Sequence, residues 1–393
     1  MRIVIVNPVW DRAVATPAET LARFTTLTGW ASAVRSNGAE AVTVCQRFPA
    51  DAVIERDGVR YQFCLDRGRP VPGRATRSTR HLHHAMLDAE PDVVHVNGVL
   101  FPEFIRGLRA ALPARVALVV QDHGGFDPAA ASALARVWIR RGLAAADAVL
   151  VSSPGQAGVI RSCGVAPPET LVTDVMESST LLRPMPRSAA RAAMKMTGMP
   201  ALLWVGRLNA NKDPLTVLRG ATEWFRTWPT ATLTMVFQSG DLDRPVRQLI
   251  AATPELARRV TLAGAVPHDR LAEYYSAADL FVLGSHHEGS GYAVIEALAC
   301  GAAPVVTDIA PFRALTNHGS VGALWEAGNA SAFADALTRA MTRSLARQRM
   351  DARELFERAF SWPVIGRRAV GLYREVMASR DRSRATARTH TPP

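Results

Sequence analysis

Residues 279–310 read DLFVLGSHHEGSGYAVIEALACGAAPVVTDIA. Asp279–Gly284 is a short apolar run and reads as a buried strand. It ends in a polar loop, Ser285-His286-His287-Glu288, followed by Gly289-Ser290-Gly291 and by residues of helical period from Tyr292 to Cys300. Gly301 stops that helix, and Ala303–Val306 reads as the next buried strand. Strand, glycine loop, helix and strand make half of a doubly wound α/β domain, in which ligands lie where strand C-termini face helix N-termini. Gly289 and Gly291 let the backbone approach a ligand closely, and N–H groups at a helix start favour an anion. Glu288 in the loop and Glu296 in the helix can both face one pocket.

The pattern repeats outward in both directions. Arg2–Asn7, Glu40–Cys45, Val59–Cys64, Asp92–Val96, Arg115–Gln121, Ala148–Ser152 and Leu171–Val175 read as strands. Helical stretches fall at 17–37, 78–89 and 129–144, and Arg67–Arg80 is a loop rich in Gly, Pro and Arg. Leu182–Ala190 is a proline-punctuated linker. Strands resume with Ala201–Val205, Ala231–Phe237, Val260–Ala263, Asp279–Leu283, Ala303–Val306 and Gly322–Trp325, and helices follow at 329–343 and 345–359. Alternation of this kind predicts mostly parallel sheets covered on both faces.

A chain of 393 residues has room for two cores. No apolar run reaches about 18 residues, so no transmembrane helix is expected. MRIVIVNPVW runs straight into a strand and lacks a signal-peptide core, and the expected location is cytoplasmic. Cys45, Cys64, Cys163 and Cys300 are scattered without metal or redox spacing, which points to reduced thiols. The net charge is +11, yet among the 46 basic residues only Lys195 and Lys212 are lysines. The positive charge is spread along the chain, which argues against a nucleic-acid groove. A basic face resting on anionic lipid headgroups, at the inner side of a membrane, is the partner that this charge leaves open.

Trp204-Val205-Gly206-Arg207-Leu208-Asn209-Ala210-Asn211-Lys212-Asp213-Pro214 is a second constellation. The strand ends at Gly206, and Asp213-Pro214 read as the cap and first position of a helix. Arg207 and Lys212 thus sit where a diphosphate would lie, and fixed positive charge there can stabilise a leaving phosphate. A lysine in a chain that uses arginine almost everywhere indicates a need for a compact ammonium. Val119-Val120-Gln121-Asp122-His123-Gly124-Gly125 puts His123 just past another strand. His95 lies within a strand and reads as core. His81, His83 and His84 fit one helix face poorly and show no obvious acidic partner, so no metal site is expected. No G-x-G-x-x-G follows the first strand and no G-x-x-x-x-G-K-[ST] occurs, so neither a nicotinamide site nor a P-loop is supported.

The pair Glu288 and Glu296, in EGSGYAVIEALACG followed by PVV, resembles the E-x7-E signature of retaining glycosyltransferases of the GT-B fold, most closely family 4. The resemblance covers most of the chain and is strongest from about 200 to 330. It implies two Rossmann-like doubly wound domains facing across a cleft: residues 1–183 on the acceptor side and 184–360 on the donor side. A helix at 361–378 would cross back to the first domain, and 379–393 reads as a disordered tail. It implies transfer of a sugar from a nucleotide-diphosphate sugar to a hydroxyl acceptor of unknown identity, with no cofactor and no metal. By the same resemblance Arg207 and Lys212 serve the diphosphate, Glu288 the sugar hydroxyls and Glu296 the ribose. Backbone groups of Gly289, Ser290, Gly291 and Tyr292 would hold phosphate or sugar oxygens. Ala265 and Val266, in VTLAGAVP, would border the base, and His123 would sit near the donor sugar.

Three departures stand beside the resemblance. The first loop, VWDRAVATPA at 9–18, lacks the usual Gly-Gly. DVMESST at 174–180 replaces an Asn-Gly turn, and Ser290 stands where an aromatic is common. A catalytically silent GT-B scaffold and a sugar-nucleotide epimerase on the same fold remain the alternatives.

Overall fold

The computed structural model describes residues 1–11, 13–66, 80–123 and 126–389. Most of the loop 67–80, Gly124 and Gly125, and the end of the tail from residue 390 lie outside the described residues. The chain divides into two compact units, one from Met1 to Ser178 together with the helix from Trp362, the other Ser179–Ser361.

Among its described residues the first unit holds eight strands: β1 (Arg2–Asn7), β2 (Ala41–Phe48), β3 (Ala52–Arg56), β4 (Val59–Leu65), β5 (Val93–Asn97), β6 (Ala117–Gln121), β7 (Ala148–Val151) and β8 (Leu171–Asp174). They run in the order β3-β4-β2-β1-β5-β6-β7-β8. Every pairing is parallel except β3 with β4, an antiparallel hairpin that turns through Asp57 and Gly58 at φ 53° and 71°. Asp-Gly with both residues at positive φ matches the twist of such a hairpin. β1, β5, β6 and β7 are almost wholly buried, as a sheet covered on both faces requires.

The stretch 17–37 is two helices, Pro17–Arg23 and Thr25–Ser36, broken at Phe24. Thr16 and Glu19 form a reciprocal capping box on the first. The last helix spans Trp362–Thr389, well past the end at residue 378 that the sequence implies. Gly366 lets this helix touch Thr25–Ser36: a Cβ there would stand 2.4 Å from the Ala33 carbonyl oxygen. Trp30 Nε1 donates to the Tyr373 hydroxyl (3.1 Å), which lies 2.5 Å from Nδ1 of the fully buried His95. Burial pushes His95 down to about 3, so it is a neutral core residue.

The second unit holds β9 (Ala201–Arg207), β10 (Thr232–Gln238), β11 (Val260–Gly264), β12 (Leu280–Leu283), β13 (Ala303–Thr307) and β14 (Ala323–Trp325). All are parallel, in the order β11-β10-β9-β12-β13-β14. The order reverses between β9 and β12, so the loops after these two strands leave the same edge side by side. Asp279, fully buried just before β12, locks that junction. Its carboxylate accepts from Ala201 N (2.8 Å) and Arg191 Nη2 (2.7 Å) and pairs with Arg187. A buried carboxylate without such partners would be strongly destabilising.

Candidate functional site

The two loops at the β9/β12 junction are laced together. After β9, Asn209 Oδ1 accepts from Lys212 N (3.0 Å), and Asp213, at φ 40°, caps the following helix through Thr216 N (3.2 Å). Across the junction, Asn211 O accepts from His286 N (2.9 Å), Asn211 Oδ1 from His287 N (3.0 Å), and Asn211 Nδ2 donates to His287 O (3.0 Å). His286 Nε2 lies 3.1 Å from Asp213 Oδ2. Gly284 makes the approach possible, since a Cβ there would lie 3.0 Å from the Asp213 carbonyl oxygen.

The lacing brings two of the sequence candidates into contact. Lys212 Nζ pairs with Glu288 Oε1, which also accepts from Ser285 Oγ at 2.7 Å. Thr307 Oγ1 in turn donates to Ser285 O at 2.5 Å. Arg207 is exposed at the end of β9. Gly291 caps the helix Tyr292–Cys300 at φ 66°, and a Cβ on it would meet Leu315 Cδ1 at 2.6 Å. Ser290 and Gly289 precede it, half-buried.

Glu296, one turn into that helix, lies in different surroundings. It is buried, and both oxygens are engaged: Oε1 with His268 Nε2 at 2.5 Å, Oε2 with the Tyr275 hydroxyl at 3.0 Å. The hydrogen bond to Glu296 raises the His268 pKa above its ordinary 6.5, against an opposing effect of burial. Burial, then the Glu296 charge, pushes Tyr275 well above the usual tyrosine range, so it stays a donor. Cys300, one helical turn on, is pushed up to about 12, chiefly by burial and then by Glu296. His268 also tilts against Tyr292, ring centres 6.2 Å apart. Ala265 and Val266 follow β11 directly, after Gly264 at φ 72° and shortly before His268.

His123 belongs to the first unit, just past β6, and its Nδ1 is in contact with the buried carboxylate of Glu177. Burial taken by itself pushes His123 down to about 4, while the carboxylate against the ring works the other way. Glu177 comes from DVMESST, the stretch read as a departure. Among the histidines set aside, His81 has an acidic partner after all: its Nδ1 lies 3.3 Å from Asp51 Oδ2. Among the described residues no group of three or more His, Cys, Asp or Glu forms a potential metal site. No described helix is long and apolar enough to cross a membrane.

His268, Tyr275, Asn211 and Glu177 are the residues that sequence reading missed at these places. His268 and Tyr275 lie 28 and 21 positions from Glu296, so no local pattern joins them to it.

Two family descriptions match: Glycosyltransferase Family 4 over residues 25–172, and Glycosyl transferases group 1 over residues 199–343. Over these two stretches the chain resembles the family 4 glycosyltransferases. D-inositol 3-phosphate glycosyltransferase from Nocardia farcinica is 32% identical over 190 residues, 47% of this chain and 42% of that relative. The chain thus spans less than half the length of the first curated relatives it matches. GDP-mannose:cellobiosyl-diphosphopolyprenol alpha-mannosyltransferase from Xanthomonas campestris is 27% identical over 250 residues, 63% of each chain. Anabaena HepE, solved in complex with UDP, superposes with a TM-score of 0.71 at 16% identity, covering 95% of this chain and all of that one. The fold of this chain is therefore GT-B.

Proposed function

We propose that this chain is a retaining, metal-independent glycosyltransferase that moves a sugar from a nucleotide-diphosphate sugar to a hydroxyl acceptor. The observation that carries the reading is the laced junction of β9 and β12, where Lys212 is held against Glu288 beside a glycine-started helix. A lysine already held at that edge needs only to turn from Glu288 to meet a diphosphate, where its charge stabilises the transition state. Arg207 and Lys212 neutralise the departing diphosphate. Glu288 accepts from hydroxyls of the transferred sugar once Lys212 turns to phosphate. Glu296 accepts both ribose hydroxyls, a geometry that suits a carboxylate. The Ala265-Val266 backbone borders the base, and His123 hydrogen-bonds a sugar hydroxyl.

The bond from the anomeric carbon to the leaving phosphate oxygen breaks as the bond to the acceptor oxygen forms on the same face. The acceptor proton passes to the departing diphosphate, so neither a protein nucleophile nor a metal enters the step. The named relatives act on a phosphorylated cyclitol and on a lipid-linked diphosphate glycan, and both are hydroxyl acceptors beside phosphate. An acceptor of the second kind would bring this basic chain to an anionic membrane surface as a peripheral partner.

The test is turnover with UDP-, GDP-, ADP- and dTDP-sugars in excess EDTA, with mass spectrometry of the products and NMR of the new anomeric centre. An axial donor giving an axial product is expected. Inverted product, or activity lost to EDTA and restored by Mg²⁺ or Mn²⁺, overturns the corresponding part of the reading.

A further inference from the structure

The carboxylate assigned to ribose is closed. Only 3% of the Glu296 side chain is accessible, whereas 54% of the His268 side chain lying on it is. Tyr275, on the other oxygen, is fully buried and hydrogen-bonded from within the core. A ribose diol has to bring two hydroxyls to one carboxylate, so one existing donor must give way. Tyr275 cannot move without opening the core. His268 can, because it sits on a three-residue turn, His268–Arg270, with most of its ring outside.

We propose that His268 caps Glu296 in the free chain and is displaced from it by the ribose of an incoming nucleoside diphosphate, so that nucleotide binding releases a proton. The proposal rests on the assignment of Glu296 to ribose. The groups acting on His268 are Glu296 and Tyr292 of the helix Tyr292–Cys300, Tyr275 beyond the carboxylate, and Asp269 in its own turn. Arg270, next along, is committed to Glu273 at 2.6 Å. The carboxylate dominates this set and holds the imidazolium form.

The sign follows. His268 has a raised pKa in the free chain and returns toward its ordinary value once it leaves Glu296. Between the two values the free chain binds the extra proton, so affinity rises with pH through that window and levels off above it. The slope inside the window approaches about tenfold per pH unit.

The experiment is calorimetry with UDP and with GDP, from pH 5.5 to 9, in buffers of different ionisation enthalpy, on the wild-type chain, His268→Ala, His268→Gln and Glu296→Gln. The nucleotide's own proton is common to all four proteins and cancels between them. Wild type is expected to release up to one more proton than His268→Ala and to bind more weakly than it at acid pH. His268→Gln, which can keep the hydrogen bond but cannot titrate, is expected to bind without the extra proton. If His268→Ala shows the wild-type proton release, or binds more weakly at every pH, His268 is not a displaced cap. If neither nucleotide binds, or Glu296→Gln binds as wild type does, the ribose assignment itself has failed.

Discussion

Glu288 and Glu296 stand eight residues apart in one loop and helix, and their charges are balanced by different means. Glu288 faces Lys212, a permanent cation, with both side chains partly open at 12% and 21%. Glu296 is buried and faces His268, a cation only while protonated. The second pair contributes to folding fully below the ordinary histidine value of 6.5 and loses that contribution as pH rises through the raised folded-state value. One loop-helix unit thus carries one carboxylate paired with a lysine and another paired with a histidine. The difference lies in how each carboxylate is buried. The loop leaves Glu288 near solvent, where a flexible lysine can both hold it and leave it. The apolar helix YAVIEALAC draws Glu296 inside, where a donor from a neighbouring turn must follow it.

The largest expected effect comes from breaking the fixed pair on its cationic side. Lys212→Ala and Arg207→Ala should each lower kcat by at least about 100-fold, the order found when one preorganised charge stabiliser is removed. Arg207→Ala should keep the wild-type Tm within a degree or two, because Arg207 is exposed, whereas Lys212→Ala leaves the largely covered Glu288 without its cation and should melt lower while still folding. Steady-state kinetics beside a thermal melt checks both. A variant that turns over normally removes its residue from the phosphate site.

A smaller effect should separate the two carboxylates. Glu296→Gln should weaken binding of the plain nucleoside diphosphate by about tenfold or more, since charge-assisted hydrogen bonds are roughly twice as strong as neutral ones. Glu288→Gln should leave that binding unchanged or slightly tighter, because it frees Lys212 for phosphate, while turnover of the nucleotide sugar falls. Binding of the nucleotide alone and turnover of its sugar, measured on both variants, report different parts of the site. Equal losses of nucleotide affinity would mean that the glutamates do not divide the donor as proposed.

The strand-loop-helix grammar around residues 279–310 was legible because each step has a local cause: a β-rich apolar run, glycines at a turn, helical period, then a glycine stop. Gly291 at φ 66° and Gly301 at φ 79° stand where that grammar needs them. Partners were not legible, because a contact such as Glu296 with His268 joins residues from separate elements. The lacing by Asn211 was hidden for the same reason, as was Glu177 beneath His123, 54 positions away. One omission did carry a local signal: Asp57-Gly58 between AVIER and VRYQFCL is a hairpin turn, and it marks β3 as well as β4. The arginine-rich end of the chain reads as a tail by composition, yet the final helix runs on to Thr389.

The smallest expected effect tests the titrating pair from its buried side. Tyr275→Phe removes only the hydroxyl that donates to Glu296 Oε2, and leaves the ring against Phe281, 5.7 Å between centres. Loss of a hydrogen bond to a buried charge costs about 1.5–3 kcal/mol of stability, visible in a denaturant titration. Its effect on the site has a definite sign. A carboxylate with one donor fewer is a stronger base, so it holds the His268 proton more tightly. The pH at which nucleotide affinity rises should move upward, and affinity at neutral pH should fall by about two- to fivefold, with a tenfold shift corresponding to a full pKa unit. The Lys212–Glu288 pair makes no contact with Tyr275 in its hydrogen-bond set, so kcat at saturating donor should stay within about twofold of wild type. If kcat falls with affinity, the two carboxylates are coupled through the helix and do not act as separate pairs. If neither the midpoint nor the affinity moves, Glu296 does not depend on its inner donor, and its charge is held by His268 from outside.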